Sequence, residues 1–311
     1  MSVFAVVVAL LLDFALMDQK ARWHPARAMG YVTDTLEVIC GAVGVSARAQ
    51  GAVFVAAAAC LFVFSSSFIL LVASFSRPLL ILIDGVMIYL AMDGTRVATE
   101  VSGAADAFSR DGAEEALVSL KRLAGIDSGV TCEEEIASCA IEALAEKFSD
   151  SVCATLFYAA IGGAPLAWLH RAVIASDAAA GYRDPGRSEF GWASARLCHI
   201  LNYPPARISA AIVAVASPTV GGSIGTTLEG VKKDRGASEI PNAWYSLVAF
   251  ADALGVTLRY DSRRPEALDE KTSAGTGQMP RIADVWRALC LYWSAYALAA
   301  LAAVALGGIL R

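Results

Sequence analysis

Two long apolar segments limit what this chain can fold into. Ala52–Phe75 carries no charged residue, and Trp286–Gly308 carries only one, Arg287. Each is longer than the ~20 residues that an α-helix needs to cross the hydrocarbon core of a bilayer. Across the chain, 57% of the residues are hydrophobic and 18% are charged, far from the composition of soluble domains. The sequence therefore predicts an integral membrane protein.

Further apolar segments are shorter or interrupted. They are Val3–Met17, Leu79–Met92, Val152–Ile174 and Ile208–Val220. The break at Ser74–Pro78 predicts a helical hairpin, because serine and proline between two apolar runs favour a turn. No stretch alternates apolar and polar residues for long enough to predict a sheet. The predicted fold class is therefore all-α, a polytopic integral membrane protein with cytoplasmic helical segments.

One apolar segment is broken by small residues and a proline. Gly162–Pro165 interrupts Val152–Ile174, and His170 and Arg171 lie near the end of that segment. Two structures fit this pattern: a single span, or two short helices that dip into the membrane and out again. Irregular backbone at membrane depth is stable only inside protein or beside a water-filled cavity. We therefore expect a functional site next to this break.

The distribution of positive charge predicts the orientation. The first 19 residues contain no Lys or Arg, whereas Lys20, Arg22 and Arg27 follow directly. The positive-inside rule then puts the N-terminus outside and the next loop in the cytoplasm. Because a basic n-region is lacking, we interpret the first segment as a retained span and not as a cleaved signal peptide. We expect a single domain, 1–311, in the cell (inner) membrane, with a cytoplasmic helical insertion at 93–151, a polar cytoplasmic loop at 221–284 and a cytoplasmic active site.

Charge and cysteine content argue against two classes of function. The net charge is −5, and no basic stripe with interleaved aromatic residues occurs, so nucleic acid is not an expected partner. The seven cysteines are scattered without a CxxC pair. This pattern indicates reduced structural cysteines and neither a disulfide framework nor a zinc site.

Three acidic residues are spaced by four along a predicted helix. They are Glu142, Glu146 and Asp150, so their side chains would share one helix face. Like charges at this spacing oppose helix formation by about 0.2–0.5 kcal/mol per pair. The face is either a solvated acidic surface or a surface that binds a cation such as magnesium, and the spacing leaves both open.

Polar chemistry is concentrated between residues 171 and 207. This stretch contains five arginines (171, 183, 187, 196 and 207) in a chain that is otherwise mostly apolar. Asp177 follows an apolar run, where an ionisable group is costly unless it faces a cavity or a partner. Arg183 and Arg187 flank a predicted turn and suit a phosphate or carboxylate; equally, they suit an interfacial loop whose arginines reach lipid headgroups. His24, before Pro25 in a predicted loop, is either structural or catalytic.

Short motifs also occur in a fixed order along most of the chain. They are Asp13 and Asp18 ahead of His24-Pro25 and Arg27; AMDG (91–94); EEEIASCAIEALAE (133–146) with Asp150; LFYAAIGG (156–163); Arg171 and Asp177 with Gly181-Tyr182-Arg183; FGWASARL (190–197); Asn202 and Pro205-Ala-Arg207; and Pro241-Asn242-Ala243 before ALGV (253–256). In this order they resemble the CobD/CbiB family of cobalamin biosynthesis, the membrane adenosylcobinamide-phosphate synthases. FGWASARL in this context is the most specific of them.

The resemblance implies an ATP- and magnesium-dependent ligase. Such an enzyme joins the free propionate carboxylate of adenosylcobyric acid, through an amide, to aminopropanol or aminopropanol phosphate and gives adenosylcobinamide (phosphate). The implied catalytic residues are Asp177, Glu146 and His24. The implied substrate and phosphate ligands are Arg27, Arg171, Tyr182, Arg183, Arg196, Arg207 and Asn242, and the implied magnesium ligands are Glu142, Glu146 and Asp150. Further implied partners are membrane lipid and other enzymes of the corrinoid pathway.

The sequence departs from the family pattern at several positions. Ile126 and Lys147 stand where the family usually has Arg and Asn, and Cys198-His199 replaces an acidic pair. These changes alter the charge of the proposed site and leave open a different amine substrate or a paralogue without ligase activity. Two other classes also stay open. A non-catalytic membrane sensor or regulator related to the family would bind neither ATP nor corrinoid, and a transporter would move a substrate without hydrolysing ATP.

Overall fold

The computed structural model describes residues 3–16, 25–42, 44–124, 132–180, 188–233, 241–259 and 273–309. Its helices are α1 (Val3–Ala15), α2 (Pro25–Gly41), α3 (Ala47–Ala73), α4 (Arg77–Ala91), α5 (Gly94–Asp111), α6 (Ala113–Ala124), α7 (Glu133–Lys147), a π-helix (Phe148–Cys153), α8 (Ala154–Ala180), α9 (Ser188–Ala216), a 3₁₀-helix (Ser217–Val220), α10 (Ile224–Lys233), α11 (Pro241–Leu254) and α12 (Ile282–Ile309). Two-residue strands β1 (Leu258–Arg259) and β2 (Ser273–Ala274) pair antiparallel. The all-α prediction is confirmed.

Among the described residues, four helical segments are long and apolar enough to cross a membrane. They are Ala47–Ala73, Arg77–Arg110, Glu133–Ala180 and Ile282–Ile309. The outer face of α3 exposes Phe64, Phe68 and Leu71 by 65–71%, which suits contact with lipid. Helix α1 has 13 residues, fewer than the ~20 that a span needs. The predicted membrane protein is therefore supported by length, composition and surface.

The chain divides into two compact units. Unit one comprises Met1–Met92, Ala154–Tyr203 and Ala302–Arg311, and unit two comprises Asp93–Cys153 and Pro204–Leu301. Helix α9 contributes its first half to unit one and its second half to unit two. The predicted division into a membrane domain with cytoplasmic insertions, and the predicted orientation, stay predictions.

Close helix packing builds unit one. Helix α1 packs on α4, α3 packs on α8, and α2 packs on both α3 and α8. Glycine permits one of the tightest approaches, because a Cβ on Gly51 of α3 would lie 1.8 Å from the carbonyl oxygen of Phe190 on α9. Beside it, the rings of Phe54 and Phe190 stack with centroids 5.5 Å apart. The start of α9 is thereby held against the start of α3.

The predicted break in the apolar segment is a kink in α8. Gly163 has φ +70° and ψ −161° inside an otherwise helical run, a conformation that glycine adopts at no steric cost. Past the kink, the backbone N–H of Ala164 donates to the Oδ1 of Asp84 on α4 at 2.9 Å. Both groups are buried. A carboxylate from a neighbouring helix thus satisfies an amide that the kink has released, and α8 consists of two helical halves.

Aromatic packing organises unit two. Helix α5 packs on α6 and α7, and α11 packs on α7. Phe148 lies 6.2 Å from Phe250 of α11 and 5.9 Å from Tyr292 of α12, measured between ring centroids. The Tyr292 hydroxyl also donates to the carbonyl of Gly94 at 2.9 Å. The π-helix that begins at Phe148 is therefore anchored in the core of this unit.

We predict that Asp84→Leu lowers the thermal stability of the protein. The Ala164 N–H would remain buried without its acceptor, which costs about 1–3 kcal/mol. Asp84→Asn keeps an acceptor oxygen and is the matched control, with a much smaller expected loss. The melting temperature of each detergent-solubilised variant is measured by size-exclusion chromatography after heating. Equal melting temperatures for the two variants would show that this bond does not support the kink.

We also predict that Gly51→Ala destabilises the protein, because the new methyl group would overlap the Phe190 carbonyl. Overpacking of this kind costs about 1–3 kcal/mol. Gly103→Ala is the control: Gly103 is exposed on α5 and a Cβ there meets nothing within 4 Å. Alanine favours a helix over glycine by about 0.5–1 kcal/mol, so this variant should melt at or above the wild-type temperature. The reverse order of the two variants would contradict the packing of α3 on α9.

Candidate functional site

The structure divides the predicted site residues between the two units. Unit one holds Arg171 and Asp177 on α8 and Arg196 on α9; unit two holds Glu142 and Glu146 on α7, Asp150 on the π-helix, Arg207 on α9 and Asn242 on α11. His24, Tyr182 and Arg183 lie outside the described residues, as does the side chain of Arg27 in the first turn of α2. Their predicted roles stay predictions.

The three acidic residues differ in their surroundings. Glu142 is fully buried, and its Oε1 accepts a hydrogen bond from the Ser138 hydroxyl at 2.9 Å. Glu146 and Asp150 are partly exposed. We call Glu146 and Asp150 the acidic pair. Asp150 lies in the π-helix, where i→i+5 hydrogen bonds replace the α-helical pattern. The spacing by four that places residues on one face of an α-helix does not apply inside this segment.

The predicted role of these three residues as magnesium ligands stays a prediction. In the part of the chain that the structure describes, no group of three or more His, Cys, Asp or Glu side chains could hold a metal ion. The three residues differ in exposure: Glu142 is fully buried, whereas Glu146 and Asp150 are partly exposed. Magnesium needs only one or two protein carboxylates when water and substrate phosphates complete its octahedron. The acidic pair fits that smaller role.

A second polar group forms in unit two around Arg207. Its Nη1 donates to the Oδ1 of Asn242 at 3.4 Å, and its Nη2 donates to the hydroxyl oxygen of Tyr245 at 3.3 Å. The Arg207 Cζ also lies 4.3 Å from the centroid of the Tyr245 ring, within the range of a cation–π interaction. We call these three residues the Arg207 cluster. The structure thus brings together two predicted ligands, Arg207 and Asn242, and adds Tyr245.

Two hydrogen bonds join the segments that carry the Arg207 cluster to the segment that carries the acidic pair. Ser246, which follows Tyr245, donates from its hydroxyl to the carbonyl of Ala145, which precedes Glu146, at 2.7 Å. Cys153, at the end of the π-helix, donates from Sγ to the carbonyl of Pro205 at 3.6 Å. Both donors are buried. Unit two therefore holds the segments bearing the acidic pair and the Arg207 cluster against one another.

An ion-pair group at the start of α5 was not predicted as a site. Arg96 donates through Nε to Asp93 Oδ1 at 2.6 Å and through Nη2 to Asp93 Oδ2, and its Nη1 donates to Glu100 Oε1 at 2.7 Å. The AMDG motif pointed to Asp93 without indicating its partner. Arg96 is already engaged by two carboxylates from the same stretch of chain, which indicates that it stabilises the first turns of α5. Its charge is balanced within the protein.

In unit one, Arg171 lines a cleft between α2 and α8. The cleft has a volume of about 380 Å³, and its charged residues are Arg171 and Asp34 among Met29, Gly30, Thr33, Ile174, Ala175, Ala178 and Ala179. Asp177 is not among the lining residues and lies partly buried on α8; Arg196 is exposed on α9. The three predicted site residues of unit one therefore do not form one cluster around this cleft.

A buried polar group next to Arg171 includes one of the divergent positions. The Nε2 of His170 and the Oδ1 of Asn202 are 2.6 Å apart, and the Nδ2 of Asn202 donates to the Sγ of Cys198 at 3.5 Å. Tyr158 stacks on His170 with ring centroids 5.2 Å apart. The sequence signalled His170 only as a residue near the end of the interrupted apolar segment, and Asn202 only as a member of a motif. Cys198 thus takes part in a packed polar group, which explains how unit one accommodates a residue that lacks the acidic group of the family pattern.

Tyr245 is the residue that the sequence interpretation missed in the Arg207 cluster. It follows Asn242 by three residues on α11, so both lie on one face of that helix, a signal that was available. Arg207 precedes them by 35 and 38 residues. Residues that are this distant along the chain meet only through the packing of α9 and α11, and no local spacing predicts that meeting.

Comparison with known proteins gives a consistent match over nearly the whole chain. The family model described as CobD/Cbib protein matches residues 6–292. A protein of Mycobacterium tuberculosis strain H37Rv named "Cobalamin biosynthesis protein CobD" is 32% identical over 301 residues, which cover 97% of this chain and 94% of that protein. Proteins with the same name from Stutzerimonas stutzeri and Clostridium perfringens are 32% and 28% identical, covering 94% and 91% of this chain and 94% and 90% of theirs.

No solved structure matches the chain. The family model covers far more than half of the chain, and the mycobacterial relative exceeds 30% identity at nearly full coverage of both proteins. The ordered motifs, the helical membrane fold and these matches agree: the chain belongs to the CobD/CbiB family.

Proposed function

We propose that this protein is a ligase of cobalamin biosynthesis that joins adenosylcobyric acid to aminopropanol or aminopropanol phosphate at the expense of ATP. Membership of the CobD/CbiB family supports the pathway. The observation that carries the reaction type is the arrangement in unit two, where hydrogen bonds from Ser246 and Cys153 join the segments bearing the Arg207 cluster to the segment with the acidic pair. Carboxylates and a guanidinium in one region are the groups that nucleotide-dependent acyl activation needs.

The chemistry explains why both charges are required. A carboxylate is a poor acyl donor, so its oxygen first attacks the terminal phosphorus of ATP and displaces ADP. The amine nitrogen then attacks the acyl carbon and displaces phosphate, which leaves the amide. In this proposal Arg207 neutralises charge on a phosphoryl group, and Glu146 and Asp150 would hold magnesium. When bound, magnesium supplies charge neutralisation at the phosphate oxygens.

The remaining predicted residues have roles that follow from their positions. Arg171 lines the cleft of unit one together with Asp34 and is proposed as a ligand for an anionic part of a substrate. Asp177, partly buried on the same helix, is proposed as a catalytic carboxylate. His24 is kept as a predicted catalytic residue, and Arg27, Tyr182, Arg183 and Arg196 are kept as predicted contacts to substrate or phosphate. Asn242 is kept as such a contact too and is the partner of Arg207.

Purified protein should form the amide product. Detergent-solubilised protein is incubated with adenosylcobyric acid, ATP, magnesium and, in separate reactions, aminopropanol and aminopropanol phosphate. Mass spectrometry should detect a product heavier than the acid by the amine minus one water, and the productive reaction identifies the amine. If no product forms while another family member reacts under the same conditions, the ligase proposal fails. The alternative is then a non-catalytic sensor or regulator, and the divergent positions 126, 147, 198 and 199 are the first to revert.

Charge removal in the acidic pair should act through magnesium. We predict that Glu146→Gln and Asp150→Asn each lower kcat/KM at least 100-fold and raise the magnesium concentration needed for half-maximal rate. The control is Glu115→Gln, an exposed glutamate of α6 in the same unit, which should stay within twofold of wild type. Product formation is measured across a magnesium titration for each purified variant. Wild-type magnesium dependence in both acidic-pair variants would exclude them as ligands.

A further inference from the structure

Tyr245 contacts Arg207 in two ways at once. Its ring lies under the guanidinium, with Cζ 4.3 Å from the ring centroid, and its hydroxyl accepts from Nη2 at 3.3 Å. Asn242 engages the other terminal nitrogen, Nη1, through Oδ1 at 3.4 Å. The ring therefore restricts the orientation of the guanidinium plane, and the two hydrogen bonds restrict rotation within that plane. All three residues are half-buried or buried.

This contact offsets an electrostatic conflict. Helix α11 begins at Pro241, so Asn242 and Tyr245 place Arg207 near the N-terminal end of the helix. The helix macrodipole carries partial positive charge at that end and opposes a cation by a few tenths to about 1 kcal/mol. The negative face of an aromatic ring attracts a cation by a comparable amount. Without the ring, repulsion by the helix dipole would favour conformations in which the Arg207 guanidinium points away from α11.

A fixed arginine is a better receptor for a tetrahedral anion than a mobile one. Arginine has substantial rotamer freedom, and restricting it before binding removes that cost from the binding step. The planar fork can then present parallel N–H donors to two oxygens of a phosphoryl group. Tyr245 itself need not touch the ligand for this effect, since it acts on the orientation of Arg207.

We propose that Tyr245 is a positioning residue that holds the Arg207 guanidinium for a phosphoryl group of a substrate. The inference rests on the proposed function for the identity of that substrate. The phosphoryl group has two sources in the reaction, ATP and aminopropanol phosphate. Both present the same tetrahedral phosphate oxygens to the guanidinium.

A binding measurement tests the proposal without requiring turnover. Isothermal titration calorimetry with magnesium pyrophosphate is carried out on the detergent-solubilised full chain and its variants. Tyr245→Leu should weaken binding at least tenfold, whereas Tyr245→Phe and Tyr245→Trp, which keep the ring, should stay within threefold of wild type. Arg207→Gln should weaken binding at least as much as Tyr245→Leu. The double variant Arg207→Gln/Tyr245→Leu should bind no more weakly than Arg207→Gln alone, because the two residues act as one unit.

A control separates positioning from general stability. Phe250→Leu removes another aromatic ring from α11, one that packs against Phe148 and not against Arg207; it should lower the melting temperature while pyrophosphate binding stays within threefold. The proposal is overturned if wild type does not bind pyrophosphate, if Tyr245→Leu binds as wild type does, or if the losses from Arg207→Gln and Tyr245→Leu add.

Kinetics on the same preparations identify the source of the phosphoryl group. If the ligase is active, Tyr245→Leu should raise the KM for either ATP or aminopropanol phosphate at least tenfold and change kcat less than threefold. An increase for ATP assigns the nucleotide, and an increase for the amine assigns its phosphate. A lower kcat with both KM values unchanged would overturn the positioning role. If no product forms but pyrophosphate still binds and its binding depends on Tyr245, the ligase proposal is refuted and the positioning role of Tyr245 is retained.

Discussion

The bond between the Ala164 amide and Asp84 shows the constraint on which unit one depends. In an apolar helical unit, water is not available to satisfy a backbone group, so each break in a helix needs a partner from the protein. Gly163 adopts the backbone conformation of the break, and Asp84 on α4 accepts the hydrogen bond of the amide that the break releases. The carboxylate in the middle of an apolar helix, which is costly in isolation, is explained by this amide. The same bond fixes the direction of the second half of α8, which carries Arg171 and Asp177.

Unit two applies the same rule to side chains. Glu142 is buried and receives the Ser138 hydroxyl, while Arg96 is paired with Asp93 and Glu100. These charges support the structure because their partners lie within the unit. Glu146, Asp150 and Arg207 are partly exposed, and the bonds from Ser246 and Cys153 hold their segments together. Unit two therefore carries charges that support its fold as well as the charged groups of the proposed site.

The packing shows how the fold accommodates two of the positions that depart from the family pattern. Cys198 receives a weak hydrogen bond from Asn202, whose carbonyl oxygen lies against His170. A thiol can occupy this place because Asn202 needs only an acceptor for its amide hydrogens. Lys147 is partly exposed in the last turn of α7, directly ahead of the π-helix. The substitutions at 147 and 198 are thus compatible with the fold.

Composition and local order determined much of what is known about this protein. Apolar length alone predicted the membrane class, Ser74–Pro78 and Gly162–Pro165 predicted the hairpin and the kink, and the ordered motifs indicated the family. Each of these signals is encoded in adjacent residues. Only the tertiary structure decided which charged groups meet. The spacing of Glu142, Glu146 and Asp150 predicted a common face, but only tertiary packing decided that Glu142 is fully buried while Glu146 and Asp150 stay partly exposed. Arg207 and Tyr245 lie 38 residues apart, and because their contact arises from the packing of α9 against α11, no periodicity within either helix could predict it.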